Sequence, residues 1–163
     1  MRKILFWVFG VLLLQSCLSS DDSPTTVCVP ETVAEQEQTI NDYIDQNGLT
    51  MQTTASGLRY SVDVAGTGDN AVYGDVIEIS YQGALLSGSV FDAGTIGPPQ
   101  FPTLAENSFI PGFEEALLLM NEGSQFTIII PGELAYACFP PPGSIIGDNE
   151  ILVFEITMDS INP

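Results

Sequence analysis

FIPGFEEALLLMNEG, residues 109–123, sets two aromatic rings and a Pro-Gly corner ahead of a short apolar helix. Phe113, Ala116, Leu117 and Met120 fall at i, i+3, i+4 and i+7, which makes one apolar stripe. Glu114 and Glu115 occupy the first turn, where the helix dipole favours them, and are expected to face solvent. Gly123 is the expected left-handed exit. A helix this short is unstable alone, because nucleation costs more than a few hydrogen bonds return. Its stripe needs a cover, and the rest of the chain must supply it.

That cover is a sheet. GLRYSVDVAG (57–66) alternates Leu58, Tyr60, Val62 and Val64 toward one face, and DVIEISYQG (75–83) sets Ile77, Ile79 and Tyr81 against Val76 and Glu78. QFTIIIP (125–131) and ILVFEITM (151–158) add two strong strands. Gly and Pro punctuate the connections in GTGDN (66–70), TIGPPQFP (95–102) and PPPGSIIGD (140–148). One short helix among about five antiparallel strands means an α+β domain whose sheet wraps the helix. Upstream, ETVAEQEQTINDYIDQN (31–47) puts Val33, Ile40, Tyr43 and Ile44 on one helical face, with Gly48 as a stop. It predicts an N-terminal helical extension over 31–48, ahead of a domain over 49–163.

The first residues are not core. Arg2 and Lys3 precede an apolar run from Ile4 to Leu14, shorter than the ~20 residues a membrane span needs. A basic start, a short apolar segment and small residues near a cleavage point predict a secretory signal over 1–16. LQSC (14–17) resembles a bacterial lipobox, in which Cys17 is acylated and becomes the mature N-terminus. Residues 17–30 then read as the lipidated Cys and a polar tether. Asp21 and Asp22 resemble the surface-export signal of Bacteroidetes lipoproteins.

Charge limits the partners. The chain has 3 basic and 21 acidic residues, and two of the basics are Arg2 and Lys3, so the mature form carries 1 − 21 = −20, with Arg59 as its only cation. Nucleic acid and anionic lipid both need clusters of Lys and Arg, so neither is an expected partner. Membrane attachment is expected only through the lipid on Cys17. In an oxidising compartment the remaining thiols, Cys28 and Cys138, either pair or stay free and partly buried. With no His, these thiols and no calcium-loop motif, no metal or other cofactor is expected.

The residues also resemble a known family. FIPGFEEALLLMNEGSQFTIIIPGELAY (109–136), then GSII (143–146) and ILVFEI (151–156), is similar to the C-terminal half of an FKBP-type peptidyl-prolyl cis-trans isomerase. YQGALLSGSVFDAG (81–94) resembles its first half, and the likeness runs over 57–158. With the lipobox and acidic extension, the chain looks like the FKBP lipoproteins of Bacteroidetes.

The resemblance implies an aromatic pocket for a proline ring. Tyr81, Asp92, the backbone N–H of Ile110 and the Tyr136 hydroxyl would carry the polar contacts, with Asp92 partly buried beside Tyr81. Phe91, Phe101, Phe109, Phe113, Ile146 and Phe154 would hold the ring, with Phe113 as floor. It further implies isomerase activity on proline-containing exported polypeptides, macrolide inhibitors as ligands, and a place at the outer membrane, on its periplasmic side or the cell surface. A non-catalytic binding module or chaperone using the same pocket is the alternative. Two segments depart from the family pattern. Phe113 stands where the most active members carry Trp, and ACFPPPGSIIGD (137–148) replaces the usual loop after the tyrosine. These changes bear on rate and substrate choice, not on fold.

Overall fold

Eight strands form among residues 27–99 and 103–162, which a computed structural model of the chain describes. The expected signal, Cys17 and Phe101 lie outside the described residues. Six strands make one antiparallel sheet: β1 (Gln52–Thr53), β2 (Arg59–Val64), β7 (Gln125–Ile130), β8 (Leu152–Ile161), β4 (Ile77–Leu85) and β5 (Val90–Ile96), in that spatial order. The other two, β3 (Thr67–Asn70) and β6 (Asn121–Glu122), pair as a separate ribbon. The architecture is the expected α+β one, with a sixth strand because two-residue β1 extends the edge beside β2.

Helix α2 (Pro111–Leu119) lies against one face of this sheet. Its stripe is buried as the spacing requires: Phe113, Ala116, Leu117 and Met120 join Ile77 and Ile79 of β4, Ile128 and Ile130 of β7, and Phe154 and Ile156 of β8. Burying each of the larger side chains, Phe113, Leu117 and Met120, contributes roughly 1.5–3 kcal/mol, which is how so short a helix persists. Helix α1 (Val33–Gln46) packs on the opposite face, where Ile40 meets Ile129 and Ile151. Alternation along β7 explains the triple isoleucine: Ile128 and Ile130 face α2, and Ile129 faces α1.

Two expectations about α2 need correction. Glu114 does not face solvent but is 8% exposed. Its carboxylate accepts from the Tyr73 hydroxyl at 2.7 Å and the Ser108 N–H at 3.1 Å, which replace the water it loses. Glu115 is half-buried and accepts from Ser56 Oγ. Gly123 does not end the helix, because Met120 already turns extended at ψ 150°. Its positive φ of 79° serves the tight turn from β6 into β7 instead.

Arg59 is 5% exposed, donates to Gly57 O at 2.6 Å and lies 3.5 Å from the Glu37 carboxylate. Among the described residues no helix is long and apolar enough to cross a membrane.

Candidate functional site

A cavity of about 500 Å³ opens where α2 begins against the sheet. Its floor is Phe113, 4% exposed. The ring of Phe154 stands 5.0 Å from it at 69°, that of Phe109 5.4 Å at 42°, and that of Tyr81 6.0 Å at 80°. Phe91 meets Phe154 edge-on at 5.5 Å. Edge-to-face rings attract one another and leave apolar faces toward the hole. Cross-strand register brings them together: Gly83 of β4 lies opposite both Phe154 of β8 and Asp92 of β5. A Cβ on Gly83 would stand 2.6 Å from the Phe154 ring and 2.7 Å from the Phe91 ring. The glycine of the Tyr-x-Gly motif is thus the space into which two walls pack.

The polar groups sit at the edge of the hole. Ile110 precedes a proline, which holds it extended (φ −61°, ψ 144°), and Pro111 opens α2 where no N–H is needed. The Ile110 carbonyl accepts from Phe113 and Glu114, while among the described residues its own N–H donates to no partner. Beside it, Glu114 holds Ser108 in place through the bond described above.

Tyr81 donates from its hydroxyl to Asp92 Oδ2 at 2.8 Å. Burial first, and that hydrogen bond second, push the Tyr81 hydroxyl up to about 12. Burial and the Asp92 charge also raise Tyr136. Both phenols therefore stay protonated at neutral pH. Tyr81 spends its proton on Asp92; the Tyr136 hydroxyl donates to no described residue and is available to a ligand.

The structure brings together Tyr81, Phe91, Asp92, Phe109, Ile110, Phe113, Tyr136 and Phe154 of the expected residues. Asp92 is exposed rather than partly buried, because β5 is the sheet edge. Ile146 does not line the cavity: it is 7% exposed and belongs to the core. A turn in which Ile146 N–H donates to Ser144 Oγ carries it inward and leaves Ile145 56% exposed. Cys28 and Cys138 are bonded, with Cα atoms 5.7 Å apart. Ile96, Asn107, Ser108 and Pro111 also line the hole. Of these, Pro111 was legible as the helix start; Asn107, at φ 62°, gave no sequence signal.

Chemically, the site offers an apolar hole with polar groups at its edge, among them the Ile110 N–H and the Tyr136 hydroxyl. The chain has 0 His, so Ser108 and the Asp92 carboxylate, which also line the hole, have no imidazole base beside them.

The peptidyl-prolyl cis-trans isomerase Mip of Coxiella burnetii is 36% identical over 119 residues, covering 72% of this chain and 50% of that protein. The outer membrane protein MIP of Legionella longbeachae is 39% identical over 110 residues, covering 65% and 45%. The chain spans about half the length of these curated relatives. The crystal structure of FkpA from Escherichia coli superposes with a TM-score of 0.65 at 29% identity, covering 80% of this chain and 61% of that one. The profile described as FKBP-type peptidyl-prolyl cis-trans isomerase matches residues 68–159, and on that match the chain belongs to this family.

Proposed function

We propose that this protein is a lipid-anchored prolyl isomerase acting on exported polypeptides. The observation that carries the reading is the ring-floored cavity with the Ile110 N–H and the Tyr136 hydroxyl at its edge, neither of which donates to a partner among the described residues. An X–Pro bond isomerises over tens to hundreds of seconds because resonance sets a barrier of ~18–20 kcal/mol. Twisting it needs no nucleophile, only loss of that resonance. The planar imide is the more polar form, so an apolar hole disfavours it relative to the twisted one. A cavity that fits twisted proline better than either planar isomer lowers the barrier by differential binding, tenfold in rate for each ~1.4 kcal/mol.

In this reading Phe113 carries the proline ring, and Tyr81, Phe91 and Phe154 wall it in. The Ile110 N–H and the Tyr136 hydroxyl hold substrate carbonyls, and Asp92 orients the Tyr81 hydroxyl. Cys17 carries the lipid that keeps the domain at a membrane facing exported clients. The name of the Legionella relative, an outer membrane protein, agrees with that placement. Macrolides that mimic a twisted prolyl segment would compete for the hole.

The phenyl floor, which lacks an indole N–H, favours a second reading: a binding module that holds prolyl segments without accelerating them. Isomerisation of a series of X–Pro peptides by the purified protein decides between them. Acceleration that falls with Tyr136→Phe at unchanged melting temperature supports the enzyme. Peptide binding without acceleration supports the module. Loss of acyl labelling and membrane fractionation in Cys17→Ser tests the anchor.

A further inference from the structure

We propose that Gln36, on the N-terminal helical extension, is a positioning residue for the cavity: it fixes the loop that presents Tyr136 to a bound proline. The proposal rests on the isomerase reading above.

Tyr136 belongs to the loop between β7 and β8, which begins with a short 3-10 helix at Gly132–Leu134. The two legs of that loop meet backbone to backbone. Asn149 N–H donates to Ala137 O at 2.7 Å, and a Cβ on Gly132 would stand 2.7 Å from Asn149 O. Gln36 clamps both legs with one amide. Its Oε1 accepts from Gly132 N–H at 2.7 Å, and its Nε2 donates to Asn149 O at 2.6 Å. The side chain is 4% exposed, so its hydration has been exchanged for these bonds.

Further bonds run between the same N-terminal segment and the same loop. Glu133 Oε2 accepts from Val33 N–H, in the first turn of α1, at 2.9 Å. Asn149 accepts from Glu31 N–H at 3.0 Å and donates to Val29 O at 2.8 Å. Cys28 is bonded to Cys138, two residues beyond Tyr136. Tyr136 is therefore bracketed by Gly132 and Cys138, and both are fixed by residues 28–36. That strap lies upstream of residues 68–159, which the family profile matches.

Gln36→Met keeps the side chain's length and removes all three hydrogen bonds of its amide, to Gly132, Asn149 and the Glu31 carboxylate at 3.1 Å. We expect kcat/KM for X–Pro peptides to fall on the order of fivefold, the rate equivalent of one hydrogen bond. In a Tyr136→Phe background the same change should cost nothing more, because Gln36 acts through that hydroxyl. Amide hydrogen exchange at residues 135–138 should quicken in Gln36→Met, whatever the activity. The pair Cys28→Ser with Cys138→Ser, which alters no fully buried residue, should quicken exchange at the same amides and serves if Gln36→Met fails to fold. Equal rate losses in both Tyr136 backgrounds would overturn the proposal, and so would unchanged exchange at 135–138. If the wild-type protein accelerates no X–Pro peptide, the isomerase reading falls, and the exchange measurement alone still decides whether Gln36 fixes the loop.

Discussion

Residues 107–111 and the loop around Tyr136 both border the cavity, yet they are held by different means. The first is secured mainly from nearby: Glu114, six residues on from Ser108, accepts its N–H, and is itself braced by the Tyr73 hydroxyl from 41 residues away. The second is secured from afar, by a hydrogen bond reaching 96 residues back to Gln36 and a disulfide spanning 110 residues. A rim bonded six residues away needs only the start of its own helix in place to make that bond. A rim tied across the molecule holds only while both ends stay docked, so it is the part of the site that can loosen with the fold intact.

Glu114→Ala should give the largest effect. It strands the Ser108 N–H and removes a carboxylate from the first turn of α2, and hydrogen bonds to charged groups are worth more than neutral ones. We expect a loss of about 2–3 kcal/mol in urea unfolding, together with a fall in isomerisation. The Tyr73 hydroxyl, now pushed up to about 12 chiefly by its bond to Glu114, should titrate lower in this variant, with burial and the Glu106 charge still raising it. Unchanged stability would mean that the near rim does not depend on Glu114, and the contrast between the rims would collapse.

Phe113→Trp probes the floor between them. The cavity of about 500 Å³ leaves room above the phenyl ring, so the variant should fold and isomerise at an equal or higher rate. Overpacking would instead cost ~1–3 kcal/mol and show as a lower melting temperature, which would count Phe113 as enclosed core.

The smallest effect is in pH. Tyr81 is raised to about 12 and Tyr136 is raised too, so both hydroxyls keep their protons and the rate should be flat from neutral pH to about 9. The folded state prefers these phenols neutral. Their contribution to stability is full below the ordinary value of 10.0 and is lost as pH rises from there toward about 12, a window in which Tyr73 acts in the same direction. A melting temperature that falls below that window would assign the loss to other groups.

How much of this was legible in the sequence follows from the range of each interaction. Helix α2, its buried stripe and the strands were legible, because periods of 3.6 and 2 are written locally. The ring cluster is legible through ordered motifs, but the place of Ile146 is not, because motif order does not say which way a turn points. Glu114 looked like a dipole-favoured surface residue, since nothing local announces Tyr73 as its partner. Thr32 and Glu35 form a capping box that T-x-x-E at 32–35 encodes, a signal left unused in expecting the extension. Gln36 carried no signal at all: a glutamine on a polar helix reads as solvated until the loop it clamps is in place.

One buried side chain also decides how a protease meets this protein. Trypsin cuts after Lys and Arg, and past residue 3 the chain offers it Arg59 alone. That residue lies in β2, 5% exposed and tied to Gly57 and Glu37. The native domain should therefore outlast trypsin, so that digestion times the opening of β2 and not the fraying of loops. When the cut comes, it falls between Cys28 and Cys138, and the two fragments remain one molecule until a thiol reductant parts them.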